Sequence, residues 1–290
     1  MKYTLIRTQR SAFSLIELIF VIIVLGIVAS LGSEMIANVY KNYIVQRAQH
    51  RAEYKTELAA IEIANRLQYA IPGTIYRRTG IGAGATVEDI MTLPSINVDT
   101  YHVLQWVSLA HDSFEAIGCT ANTASCRRPG WSGFVDLSQS TRTLLNSDGS
   151  NFSVADQIIQ NLRGSGNVNN AVVYFPDDTT GYAIQSHTNE NLTLVAPGPT
   201  RIREHYKLAW SSYALSVENG KLYLYYNLPP VTRYTIPAGT TTKALLLSNV
   251  TTFKFRNDGQ TFRFKLCTSE RISAQLNDKI TVCKEKAVIF

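Results

Sequence analysis

One carboxylate, Glu17, stands near the head of the most apolar stretch of the chain, residues 13–31, FSLIELIFVIIVLGIVASL. An acid inside a membrane-spanning helix costs about 2.5–3.5 kcal/mol on insertion scales, so its default reading is functional and it requires a partner. No lysine or arginine lies between Phe13 and Val39. A cut between Ala12 and Phe13 would create the missing cation, an α-ammonium on Phe13 one helical turn before Glu17. The cysteines are the second group with usable chemistry. We expect disulfides Cys119–Cys126 and Cys267–Cys283, in keeping with an extracytoplasmic compartment. The second closes a loop of about 15 residues, worth about 3 kcal/mol in the chain-entropy model, and would pin the last strand. No CxxC and no paired histidine spacing occurs, which argues against zinc.

Other motifs weaken on inspection. The run Gly80-Ile81-Gly82-Ala83-Gly84-Ala85 fits a GxGxxA fingerprint only superficially, because it follows a helix end instead of a strand and reads as a loop. The segment 130–134, GWSGF, lacks the final glycine of a nucleophile elbow. Neither HExxH nor a P-loop is present, and the five histidines are scattered. Asp177-Asp178 reads as a turn sooner than a calcium site. Arg77-Arg78, Arg127-Arg128 and Arg201 with Arg203 are candidates for a basic surface, and fifteen tyrosines for base stacking, so nucleic acid is kept as a minority partner. We expect no enzyme, no cofactor and no metal.

The 290 residues are 45% apolar and 17% charged, which excludes a disordered chain. The net charge is +6, but removing the three basic residues of the first twelve leaves +3, a weak argument for a polyanionic partner. Those residues, Lys2, Arg7 and Arg10, precede the apolar stretch, and the next basic residue is Lys41. The positive-inside rule therefore keeps the amino terminus cytoplasmic and sends the bulk of the chain outward. A cleaved secretory signal and a plain anchor compete with this picture, but neither explains Glu17.

The arrangement Arg10-Ser11-Ala12, then Phe13-Ser14-Leu15-Ile16-Glu17-Leu18, resembles the class III signal of type IV pilins and pseudopilins. It departs from the family pattern at Ala12, where glycine is commoner. The resemblance implies cleavage by a prepilin peptidase between Ala12 and Phe13, N-methylation of Phe13, and residence in the inner membrane with the carboxyl-terminal domain in the periplasm. It also implies extraction by an inner-membrane assembly platform into a filament of other pilins or pseudopilins. There Glu17 would meet the Phe13 amine of a neighbour. The implied fold is α+β and pilin-like, a long amino-terminal helix on an antiparallel sheet. The expected segments are a leader (1–12), a membrane or filament-core helix (13–32), the outer half of the helix (33–71) and a β-rich domain (72–290). Size, retention of Glu17, and the absence of a helix proline near Glu34 point to a minor subunit of a pilus, secretion or DNA-uptake machine. A DNA- or surface-binding tip subunit is the alternative, and an anchored enzyme is less favoured.

The elements that position these groups follow from periodicity. No proline occurs before Pro72, and a helix from residue 13 to 70 would measure about 85 Å. The stripe Tyr54, Leu58, Ile61, Ala64 and Leu67 is expected to face the sheet. Its polar stretch with Lys41, Arg47, His50, Arg51 and Lys55 reads as a solvated face sooner than as a lipid contact. Strands are expected at 102–109, 171–175, 182–185 and 192–195. Hairpins are expected around Asn219-Gly220 and around Asn257-Asp258-Gly259, and a final strand at the carboxyl end. Phe253, Phe255, Phe262, Phe264 and Leu266 alternate with polar residues, so one face of the last hairpin needs cover.

Overall fold

The computed structural model describes residues 14–90, 100–117, 128–259, 261–272 and 278–289. Helix α1 runs Leu15–Leu67. It is followed by β1 (Tyr76–Arg78), β2 (Val87–Asp89), β3 (Val103–Ser108), α2 (His111–Glu115), β4 (Leu144–Asn146) and α3 (Phe152–Arg163). Next come β5 (Val172–Tyr174), β6 (Tyr182–His187), β7 (Asn191–Leu194), β8 (Lys207–Ala209), β9 (Ser211–Glu218) and β10 (Lys221–Leu228). The chain closes with β11 (Lys243–Ser248), β12 (Val250–Asp258), β13 (Thr261–Arg271) and β14 (Lys279–Ile289). The class is α+β. Described residues 14–51, 271–272 and 278–280 form one compact unit, and 52–270 with 281–289 form another.

The second unit holds three antiparallel sheets, ordered β11-β10-β9-β3-β1-β2, β12-β13-β14 and β4-β7-β6-β5-β8. Asn219 and Gly220, both at positive φ (50° and 71°), make the turn of the β9–β10 hairpin, as a two-residue primed turn requires. The last hairpin is longer than its turn signal suggests. Pairing continues through Asn257↔Phe262 and Asp258↔Thr261, so Asn257 and Asp258 belong to β12.

Within this unit the carboxyl-terminal part of α1 covers the aromatic face of β12 and β13. Ala59, Ala60, Ile63 and Leu67 share a core with Phe253, Phe255, Phe262, Phe264 and Leu266, and with Leu215, Leu222 and Leu224 of β9 and β10. The expected facing stripe is borne out at Leu67, which is buried, and at Ala64, which packs against the core, and is corrected at its other three positions. Tyr54, Leu58 and Ile61 are 68%, 49% and 41% exposed, while Ala52, Thr56, Ala59, Ala60, Ile63 and Leu67 are buried. The physical reason is helical phase: Ala52, Thr56, Ala59, Ile63 and Leu67, three and four residues apart, share the face turned to the sheet, and Ala59 and Ala60 allow close approach to the phenylalanines. The helix also ends at Leu67, well before Pro72. The amides of Tyr69 and Ala70 donate to the carbonyls of Arg66 and Leu67, and the Ile71 amide donates to the Val107 carbonyl of β3. Pairing of residues 69–71 with the end of β3 takes the backbone out of the helix before Pro72 is reached.

A second core joins α3 to the third sheet through Phe152, Ala155, Ile159, Val173, Ile184, Leu192, Leu208 and Trp131. Helix α3 is not among the expected elements, although Phe152, Ala155 and Ile159 carry the period of its buried face. Gly164 caps it in the left-handed conformation at φ 80°.

Candidate functional site

Ser14 stands just before α1, and its carbonyl accepts from the amides of Glu17 (3.0 Å) and Leu18 (3.2 Å). Glu17 therefore lies in the first helical turn. A carboxylate there is favoured by the helix dipole and by the unsatisfied amides of that turn. The spacing Ser14-x-x-Glu17 is also that of a capping box. Among the described residues its carboxylate has no ion-pair partner. The next cation along the helix is Lys41, about 36 Å away at 1.5 Å per residue.

From Ser14 to Tyr43 every side chain is exposed. Between Leu15 and Leu31, thirteen large apolar side chains are each at least 45% exposed. Covering them is worth roughly 1–2 kcal/mol apiece, on the order of 20 kcal/mol together. The apolar residues lie on all sides, which is the pattern of a helix surrounded by lipid or by other helices. This helix is long and apolar enough to cross a membrane.

Cys267 and Cys283 are joined by a disulfide across β13 and β14. On the same strand Lys284 and Lys286 reach back to Glu57 of α1, at 3.6 Å for the Lys284 pair. The hydrogen bond from Lys286, with both lysine charges, holds the Glu57 carboxyl below its ordinary range against a smaller opposing effect of burial. Ala12, Phe13, Cys119 and Cys126 lie outside the described residues.

The expected basic surface is corrected in part. Arg77 is buried against Glu88 (2.8 Å) and stacks on Tyr101. Arg78 is 1% exposed; its guanidinium donates to Gln105 Oε1 and to the carbonyls of Tyr234 and Gly82. Both arginines tie strands and loops together and present no cationic surface. Arg128 pairs with Glu190, Arg203 lies 3.7 Å from Asp177, and Arg127 is outside the described residues. The Gly80–Gly84 segment is a loop, but the expected context is corrected: strand β1, not a helix end, precedes it, and strand β2 instead of a helix follows, so the dinucleotide arrangement is still absent. Asp178 uses its carboxylate in a turn, accepting from the Thr180 amide (2.8 Å) and the Tyr182 hydroxyl (2.7 Å). Comparison with family models, curated proteins and solved structures finds no match to this chain.

Proposed function

We propose that this chain is a structural subunit of a pilin-like filament, a minor pilin or pseudopilin of a type IV pilus, a type II secretion system or a DNA-uptake machine. The observation that carries the reading is a lone carboxylate in the first turn of a helix whose apolar side chains are uncovered on every side. Lipid satisfies the apolar part of that surface before assembly, and the helices of neighbouring subunits satisfy it afterwards. Neither supplies a cation for Glu17. The α-ammonium left on Phe13 by a prepilin peptidase does. In the low-dielectric interior of a helix bundle an unpaired Glu17 is costly, so the pair fixes the axial register at which one subunit joins the next.

In this account the inner membrane stores the processed subunit, an assembly platform extracts it, and the outer domain decorates the filament. Chemistry at a catalytic centre has no part in it. Glu17→Ala tests the reading in cells producing the remaining subunits. The expected result is a processed, membrane-inserted protein that is lost from filaments. Incorporation at the wild-type level would overturn the role given to Glu17.

A further inference from the structure

We propose that the free edge of β11 takes up an extended peptide segment of a partner protein as an added strand. β11 ends the six-stranded sheet, with β10 as its one neighbour. Among the described residues, the backbone of Ala244, Leu245, Leu246 and Leu247 makes no hydrogen bond outside that pairing. A strand in this place presents a row of N–H and C=O groups along its outer side. Another strand answers such a row group for group; a lipid chain has no groups to offer, and a helix has already used its own. Sheets defend an edge with charge, with short length or with cover. β2, β4 and β8 have three residues each, and β12 and β14 carry several charges each. β11 reads KALLLS, and its one charge, Lys243, turns back to Glu218 at 2.7 Å. Ala244 is exposed, and Leu245 is 52% exposed.

The edge borders a groove. A bulge leaves Leu246 without an opposite residue, between the pairs Leu222↔Leu247 and Tyr223↔Leu245. A bulge re-aims a side chain, and here Leu246 and Leu247 both turn to the core side. Residues Leu245 to Ser248 form one wall of a groove of about 520 Å³, and Lys55, Leu58, Ala59 and Glu62 of α1 form the other. An edge strand beside a helix is a general arrangement for strand addition: the main chain gives affinity, and the groove selects alternate side chains. Charge and area narrow the occupant. Lys55 is already paired with Glu270 at 2.7 Å, and Glu62 with Arg66 at 2.6 Å. The segment is therefore uncharged, with apolar side chains at alternate positions. Leu58, 49% exposed, with Leu245 and the partly covered Leu246, offers on the order of 200 Å² of apolar surface. A stable dimer needs about 800 Å² per partner, so a second folded copy is poorly served. A single strand, held mainly by its backbone, needs less.

The proposal is independent of the role given to Glu17, and a failure of either leaves the other standing. The probe is a fluorescein-labelled octapeptide of alternating valine and threonine, blocked at both ends. It is titrated with the full chain in neutral detergent and read by anisotropy. Saturable binding with a Kd below about 200 μM is expected. Two further probes carry N-methyl groups on the odd or on the even amides. One of them, whose methyl groups face β11, should bind about tenfold more weakly or worse, and the other should bind as the parent does. Leu245→Lys and Leu58→Lys, both at half-exposed positions on different elements, should each weaken the parent peptide about fivefold with Tm unchanged. Hydrogen exchange under saturating peptide should slow in β11 and stay the same in β14. No saturation at about 1 mM chain, or two N-methylated probes that bind equally, would overturn the proposal. So would a chain that dimerises in sedimentation without peptide and separates on Leu245→Lys, because the occupant would then be a second copy.

Discussion

Removing the Cys267–Cys283 bond should loosen one strand before it unfolds the domain. The two residues are separated by 16 positions. For a loop of that size the chain-entropy model gives about 3 kcal/mol of stabilisation at 25 °C. The bond holds β14, which contributes Val288 to the core beneath α1 and Lys284 and Lys286 to Glu57. The perturbation is the double variant Cys267→Ala, Cys283→Ala; a reductant would act on all four cysteines of the chain. A loss of 3 kcal/mol corresponds to a fall in Tm of about 6–12 °C for a domain of this size. Thermal unfolding by circular dichroism in detergent measures it, and hydrogen exchange locates it. Amides of β14 should exchange faster, while those of the β3–β9–β10 ladder should keep their protection until global unfolding. A Tm within 2 °C of wild type and unaltered exchange in β14 would refute the reasoning.

Arg78→Leu should destabilise the domain by about 3 kcal/mol, because Gln105 and the Tyr234 carbonyl lose a charged donor in a buried site; urea unfolding measures it, and a loss under 1 kcal/mol would contradict the clamp assigned to Arg78. Glu57 titrates below its ordinary range in the folded state, so its contribution is present at neutral pH and is lost as pH falls through the folded value. The Tm difference between wild type and Glu57→Gln should therefore shrink to nothing in acid. A difference that persists or grows there would be inconsistent with the ion pair. Tyr206, buried and hydrogen-bonded to Ser147 Oγ at 2.8 Å, has its hydroxyl pushed up to about 12 by desolvation. Ultraviolet titration of wild type against Tyr206→Phe should show one phenol that stays neutral near pH 10 and ionises only at about 12 or on unfolding.

Local signals were the legible part of this sequence. Asn219-Gly220 needs only its own backbone preference to make a turn, and the alternation of Phe253 and Phe255 with Lys254 and Arg256 needs only the pleat. The exposed apolar helix and the place of Glu17 in its first turn likewise follow from composition over a few turns. What was not legible depends on distant partners. Arg78 looks like a surface cation until Tyr234, 156 positions away, closes over it. The buried face of α1 was misassigned because the larger side chains Tyr54, Leu58 and Ile61 seemed the better core. The face that carries Thr56, Ala59, Ile63 and Leu67 has the same three-and-four spacing, and only the position of the distant phenylalanines selects it. Helix α3 was missed because its short apolar period sits between loop-forming residues that dominate the stretch.

The central claim is that Glu17 answers to an amine on Phe13. Mass spectrometry of the amino terminus, on protein purified from membranes of cells that contain a prepilin peptidase, tests it most directly. The account predicts a chain that starts at Phe13 with an N-methylated amine. A chain that keeps Met1, or that starts beyond residue 30, would contradict it.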